Sequence, residues 1–418
     1  MDLKKKMIQF AAEAKEASQV LAELSQRAKR KILEEVAVRL RKEFRKIIAA
    51  NQKDLRAAKQ MRLTDAMMDR LMLNAKRVEQ MAKAVSDVAK LPEPIGKVLK
   101  SWRRPNGLRI SKVTVPLGVI LIIYESRPNV TSECASLCLK SGNAVLLRGG
   151  REAFHSNRAV VEVYAQVLRR HRISQASVSL VPVLDRSAID ELLKLEDLIN
   201  LVIPRGGEAL IRRVARNARI PVIKHYKGIC HVYVDRDADL NMALKVAFNA
   251  KCQRTGVCNA METLLVHQSI ASKFLPKYGE MLKKAGFEIR GDQTTKRLIP
   301  EIKKATEEDW RTEYLDKILS IRVVRDVDEA IHHIQKYGSA HTDSIVTRNQ
   351  TTAEKFVSKV DSSSVMVNTS TRFSDGNEYG FGAEIGISTD KVHARGPMGL
   401  EGLISYKYVV RGTGQIRT

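Results

Sequence analysis

The sequence predicts an α/β fold with buried parallel strands, divided into more than one domain, and three observations carry that prediction. The chain has 418 residues, 44% of them hydrophobic, which is too long for one ordinary core. Short apolar runs, each leading into a loop and then a helical stretch, alternate from Val115 to Ile203 and again from Cys230 to Val367. The N-terminal segment reads instead as helices, closed by Leu91-Pro92-Glu93-Pro94-Ile95-Gly96.

In that helical segment Leu24, Ala28, Ile32, Val36, Leu40, Phe44 and Ile48 recur at every fourth position, the apolar stripe of one long helix. A hairpin is expected next. Asn106-Gly107 separates the strand-like runs Val98 to Arg103 and Leu108 to Val113, and Asn-Gly supplies the positive φ angles of a tight turn. Strands are expected at 115–124, 143–147, 177–183 and 198–203. Arg148-Gly149-Gly150 follows one of them and Pro204-Arg205-Gly206-Gly207 another, at the start of an Arg-rich helix. Either loop brings backbone N–H groups to a phosphate at a helix N-terminus or makes a plain tight turn. A second α/β domain is expected to place strands at 230–234, 262–267, 318–324, 343–347 and 364–368. The strand-like tail Ile404 to Val410 needs a partner, for which the hairpin near Asn106 is a candidate. An arm of another subunit would serve as well.

Composition narrows the function. A formal charge of +25 attracts polyanions, from nucleic acid to phosphorylated metabolites. Much of it lies between Arg27 and Arg45 on the striped helix, which reads as a solvated basic face. Aromatic content of 5% and the lack of zinc-finger or RNP-type motifs disfavour a nucleic-acid binder. The start Met1-Asp2-Leu3-Lys4-Lys5-Lys6 lacks a secretory apolar stretch, and no run approaches a membrane span, so a cytoplasmic protein without membrane contact is expected. Five cysteines without regular spacing argue against a disulfide framework. Cys134, Cys138, Cys230 and Cys252 read as small buried residues. Cys258 sits in the polar connection Gln253-Arg254-Thr255-Gly256-Val257-Cys258, where a thiol beside a basic residue can act as a thiolate nucleophile.

Cys258-Asn259-Ala260-Met261-Glu262-Thr263-Leu264-Leu265-Val266-His267 resembles the nucleophile region of the γ-glutamyl phosphate reductases, a branch of the aldehyde dehydrogenase superfamily. Six further segments resemble the same family in order: Tyr124 to Thr131, Leu139 to Asn143, Ile203 to Gly207, Gly338 to Ile345, Gly382 to Ser388 and His393 to Leu400. The resemblance implies an aldehyde dehydrogenase-like fold. Its parts would be a Rossmann-type NADP-binding domain (1–97 and 116–228), an α/β catalytic domain (229–403) and a small β oligomerisation arm (98–115 and 404–418). It also implies an activity: NADPH reduces L-glutamate 5-phosphate to the 5-semialdehyde with release of phosphate, in proline biosynthesis. The partners implied are that substrate, a homodimer or higher homo-oligomer, and a transient contact with the glutamate 5-kinase that delivers it. No metal is expected.

By this resemblance Cys258 is the nucleophile, and Asn129, otherwise a turn residue after Pro128, donates to the oxyanion together with the Cys258 backbone. Arg148 and Arg151 fall beside the adenosine ribose, where a guanidinium favours a 2′-phosphate. Gly206 and Gly207 line the cofactor loop. Glu313 holds the nicotinamide ribose, or is a surface carboxylate. From charge logic Glu384 meets the substrate ammonium and Arg127 or Arg395 its carboxylate, with internal ion pairs as the alternative for each. Thr255 and Asn377 depart from the family's usual loop residues. Hydrolytic relatives place a water-activating glutamate in the stretch corresponding to Pro221 to Gly228, which here holds no carboxylate and has His225 near that position. An aldehyde-oxidising dehydrogenase would need that carboxylate.

Overall fold

The computed structural model describes residues 2–417, and the chain divides into two compact units. The first comprises residues 1–224, 381–386 and 398–418, and the second residues 225–380 and 387–397.

The first unit opens with α1 (Leu3–Glu23), α2 (Gln26–Lys42), α3 (Phe44–Gln60), α4 (Asp65–Leu71) and α5 (Ala75–Lys90). The single long helix expected from the stripe is corrected to two. Leu24 lies outside, as the C-cap of α1, and Ser25 starts α2 by accepting from Ala28 N at 3.2 Å. Glu43, at φ −90° and ψ 8°, separates α2 from α3. Its carboxylate pairs with both Arg39 and Lys46, so side-chain bonds hold the joint that the apolar spacing runs straight through.

β1 (Val98–Arg103) and β2 (Arg109–Pro116) form the expected hairpin, with Gly107 at φ +89° and a turn bond from its N–H to Arg104 O at 2.9 Å. The last strand of the chain, β16 (Ile404–Arg411), pairs antiparallel with β2 of its own chain, from Ile404 opposite Pro116 to Arg411 opposite Arg109. The hairpin thus supplies a partner for one edge of β16. The order β1-β2-β16 leaves β1 and β16 as the outer strands.

Then comes a parallel sheet in the order β5-β4-β3-β6, formed by β3 (Val119–Tyr124), α6 (Pro128–Lys140), β4 (Ala144–Arg148), α7 (Phe154–Arg170), β5 (Val178–Leu180), α8 (Ser187–Leu192), β6 (Leu201–Arg205) and α9 (Glu208–Asn217). β3 and β4 are buried along their whole length, which is why both read as continuous apolar runs. Residues 381–386 belong with this unit. Ile385 O accepts from Arg205, and Gly382 packs so closely on Leu91 that a Cβ would overlap it.

The second unit builds a seven-stranded, all-parallel sheet in the order β10-β9-β11-β8-β7-β12-β13. Its elements are β7 (Cys230–Val234), α10 (Leu240–Cys252), β8 (Met261–His267), α11 (Gln268–Lys284), β9 (Glu288–Gly291), α12 (Gln293–Leu298), β10 (Lys303–Lys304), β11 (Ile318–Val324), α13 (Val327–Tyr337), β12 (Thr342–Val346), α14 (Gln350–Lys359) and β13 (Ser364–Val367). Val232, Val234, Leu264, Val266, Phe274, Leu275, Tyr278, Leu319 and Ile321 form its main core. β14 (Gly386–Ser388) and β15 (Gly396–Met398) pair as a two-stranded ribbon. Among the described residues no helix is long and apolar enough to cross a membrane.

Candidate active site

In the second unit β8, β7 and β12 are neighbours running in one direction, so the segments that feed them meet at the amino edge of the sheet. Cys258 lies in the turn before β8, His225 in the strap before β7, and His341 immediately before β12. Cys258 Sγ and one ring nitrogen of each histidine lie within 4.8 Å of one another. Two contacts set the thiol's position. A Cβ on Gly228 would overlap the backbone of Cys258, so only glycine lets the strap run this close. Beneath, the buried Cys230 thiol donates to Cys258 O at 3.2 Å and lies 3.6 Å from His341 Nδ1.

Positive charge is carried alongside. The buried Asn259 amide donates to Ser374 O at 2.9 Å, holding the segment that bears Arg372, whose Nε donates to Gln253 Oε1 at 2.9 Å. Burial and the neighbouring Arg254 charge push the Arg372 pKa down, while Cys258 lies close enough to oppose them. Arg372, with Arg254 near it, gives the half-exposed thiol an electropositive setting. The other four thiols are pushed up by burial: Cys134 to about 12, Cys252 to about 11, Cys138 and Cys230 well above their ordinary value. Of the histidines, His225 Nδ1 donates to Ile387 O at 2.9 Å, and His341 is fully buried, its pKa pushed down to about 3 by burial and then by His225.

The same edge receives Glu313. Its loop is fastened to β8 through Glu262, which pairs with Lys251 at 2.5 Å and accepts from Leu315 N at 3.1 Å, both charged side chains being fully buried. Burial first, opposed by Lys251, raises Glu262 to about 7. Arg395 is engaged within this unit by Asp361, donating to its carboxylate at 2.7 Å and to its carbonyl at 2.8 Å.

The remaining candidates belong to the first unit, and all but Glu384 lie at or just past the carboxyl ends of its strands. Arg127, exposed, and Asn129, half-buried, come after β3, with one Asn129 N–H donated to Glu133 at 2.8 Å. Arg148, the last residue of β4, is buried and donates to the carbonyls of Gly149 and Leu184, whereas Arg151 beyond it is exposed. After β6, Gly207 caps α9 and its N–H is taken by the Glu125 carboxylate at 3.1 Å; the same carboxylate lies where a Cβ on Gly206 would go. Glu384 is half-buried in the returning segment 381–386.

Residues 3–308 match the model of the aldehyde dehydrogenase family. A γ-glutamyl phosphate reductase of Carboxydothermus hydrogenoformans is 55% identical over 98% of this chain and 99% of its own. The crystal structure of the Thermotoga maritima γ-glutamyl phosphate reductase superposes with a TM-score of 0.97 at 48% identity, covering 99% of this chain and 100% of that one. The chain belongs to the aldehyde dehydrogenase family, in its γ-glutamyl phosphate reductase branch. An acetylating aldehyde dehydrogenase from Geobacillus thermoglucosidasius, 18% identical with a TM-score of 0.68 over 100% of this chain and 98% of that one, shares the fold alone. As an aldehyde dehydrogenase the chain is an oxidoreductase. His341, Cys230, Glu262 and Arg372 carry no signal in the sequence for a role at this site. The first three stand in segments that resemble the family or in an apolar strand, and only the parallel pairing of β7, β8 and β12 brings them to Cys258.

Proposed function

We propose that this chain reduces L-glutamate 5-phosphate to L-glutamate 5-semialdehyde with NADPH, releasing phosphate, in proline biosynthesis. The observation that carries the reading is the Cys258 thiol, half-exposed beside Arg254 and Arg372 while the other four thiols are held protonated.

The Cys258 thiolate attacks the acyl carbon, and the bond to the phosphate oxygen breaks with its electron pair leaving on phosphate. The Cys258 backbone N–H and the Asn129 amide meet the oxyanion that develops. A thioester remains on Sγ. When bound, the nicotinamide supplies the hydride that reduces it. The carbon–sulfur bond then breaks and its electron pair returns to Cys258. Pro221 to Gly228 offers no carboxylate to activate water, so the thioester is spared hydrolysis.

The cofactor-domain reading assigns residues 1–97 and 116–228 to NADPH, residues 229–403 to catalysis and the three-stranded sheet to assembly. Arg151 is exposed at the end of β4 and suits a 2′-phosphate. Arg148, tied to two backbone carbonyls, supports that loop from within. A phosphate at Gly206 and Gly207 has to displace the Glu125 carboxylate, and Glu313 takes the nicotinamide ribose. For the amino-acid end, Glu384 suits the ammonium. Arg127 suits the carboxylate better than Arg395, which Asp361 already engages. A homo-oligomer through the three-stranded sheet accounts for the outer-strand residues Val98, Leu99, Tyr406, Tyr408 and Val410, all exposed. A cytoplasmic enzyme in transient contact with a glutamate 5-kinase completes the picture.

The reverse reaction tests the chemistry. With glutamate 5-semialdehyde and NADP, NADPH should form only when phosphate is present; fast formation without phosphate would overturn the acyl-phosphate reading.

A further inference from the structure

The amino edge of the second sheet holds more donor chemistry than the reduction uses. A thiol and two imidazoles, Cys258, His225 and His341, converge with one donor atom each inside 4.8 Å. Sulfur with two nitrogens is a ligand set for zinc and its neighbours among the divalent cations. Ligands of a tetrahedral zinc stand roughly 3.3–3.8 Å apart, given bonds of about 2.0–2.3 Å. The trio therefore needs to draw in by about 1 Å, a movement within the side-chain rotations of the half-exposed Cys258 and His225.

Independent details point the same way. His341 is completely buried, and its Nε2 has no hydrogen-bond partner, while Nδ1 sits 2.9 Å from Thr342 Oγ1. A buried ring nitrogen without a partner calls for a ligand. His225 donates Nδ1–H to Ile387 O at 2.9 Å, and since a carbonyl only accepts, Nε2 is the ring nitrogen that keeps its lone pair. Metal-binding histidines are oriented by such a bond to a backbone carbonyl. The two rings stand nearly edge to face, 5.7 Å between centroids and 69° between planes, turning toward one another from different strand entries. Behind the sulfur, Gly228 and the Cys230 thiol hold the Cys258 backbone from two sides.

We propose that Cys258, His225 and His341 bind a zinc ion reversibly, and that the ion caps the nucleophile and switches the reductase off. On binding, Cys258 loses its thiol proton to solvent as the sulfur–zinc bond forms, and no electron is transferred. Three protein ligands leave a fourth position for water. Binding stands on the geometry alone, while the inhibition rests on the reading of Cys258 as the nucleophile.

The full-length chain, stripped with a chelator, is titrated with Co²⁺ and then with Zn²⁺ in competition, reading the thiolate-to-cobalt charge-transfer absorption. One ion per chain is expected, with turnover lost as zinc fills the site and restored by chelator. Cys258→Ser abolishes the absorption, Cys252→Ser leaves affinity and turnover unchanged, and His341→Gln weakens affinity at least about tenfold. Because His341 is buried, His225→Gln on the half-exposed strap serves as the second variant, with the same loss expected. Absorption that survives Cys258→Ser, or affinity unaltered in both histidine variants, would overturn the site. Zinc bound through Cys258 with turnover undiminished would instead overturn both the inhibition and Cys258 as nucleophile.

Discussion

In each unit the chain lays strands to one side of its first strand and then crosses to the other: β3 is flanked by β4 and β6, and β7 by β8 and β12. Such a crossing opens a crevice at the carboxyl ends of the strands, where helix N-termini and glycine loops receive ligands. The first unit follows that rule, with Arg127, Asn129, Arg151, Gly206 and Gly207 all beyond the carboxyl ends of β3, β4 and β6. The second unit has the same crossing but fills its carboxyl edge with its own polar side chains. Thr347 and Tyr233 donate to Asp235 at 2.8 and 3.0 Å, Asn349 donates to Asp237 at 3.0 Å, and Arg348 pairs with Asp239. Its Cys258, His225, His341 and Glu313 gather at the opposite, amino edge. Topology thus says where a backbone cradle for a ligand opens, whereas the turn that carries Cys258 is placed at the other edge by short connections and close packing.

The sharpest way to break this contrast is to remove the amino-edge thiol. Cys258→Ala should lower phosphate-dependent NADPH formation by about 10⁴-fold or more, whereas Cys252→Ala keeps most of it. An active Cys258→Ala protein would move the chemistry elsewhere. Next comes the anchor beneath Glu313. Glu262→Gln leaves the fully buried Lys251 without its carboxylate, a loss of about 3–5 kcal/mol, to be read in denaturant unfolding; an unchanged midpoint would mean that the loop is held by other bonds.

At the carboxyl edge the effects should be smaller and confined to binding. Arg151→Glu should raise the Michaelis constant for NADPH by about 10–100-fold and leave NADH nearly untouched, since a guanidinium prefers the extra phosphate and a carboxylate repels it. Equal loss with both cofactors would show that Arg151 serves the fold.

The last prediction concerns pH and the body of the second sheet. His333 is buried against Trp310 and Tyr337, with Arg322 donating to its Nδ1 at 3.2 Å, and burial followed by the His231 charge pushes its pKa from 6.5 down to about 2. Between those values the unfolded chain takes up a proton that the folded chain refuses. Stability from this group is therefore present above about pH 6.5 and falls as pH drops toward 2, by up to about 1.4 kcal/mol per unit. In a Trp102→Phe background Trp310 fluorescence reports the transition, and His333→Gln should flatten the acid slope by one proton; an unaltered slope assigns it to other groups.

Much of the fold is legible in the sequence because buried parallel strands leave continuous apolar runs. β7 and β11 fall at the expected residues, and most other strands lie within a few residues of theirs. The strands that escape reading, β9, β10, β14 and β15, are short, and β9 and β10 also carry the charged residues Glu288, Arg290, Lys303 and Lys304. Glu43 escapes for a different reason: the helical stripe continues across it, and only its ion pairs mark the joint. At the site, Cys258 is marked by its polar turn, but no local pattern in the chain joins His225 to His341. Their meeting is decided by strand order, a property of pairing between distant segments. The Glu125 carboxylate on Gly207 is likewise set by the neighbouring positions of β3 and β6.

The five thiols have one more consequence, for whoever handles the protein. With Cys134, Cys138, Cys230 and Cys252 kept protonated by burial, a mild alkylating agent offered near neutral pH meets one ready sulfur per chain. Moles of label incorporated then count the Cys258 thiols in a preparation, turning the uneven burial of its cysteines into a built-in measure of intact chains.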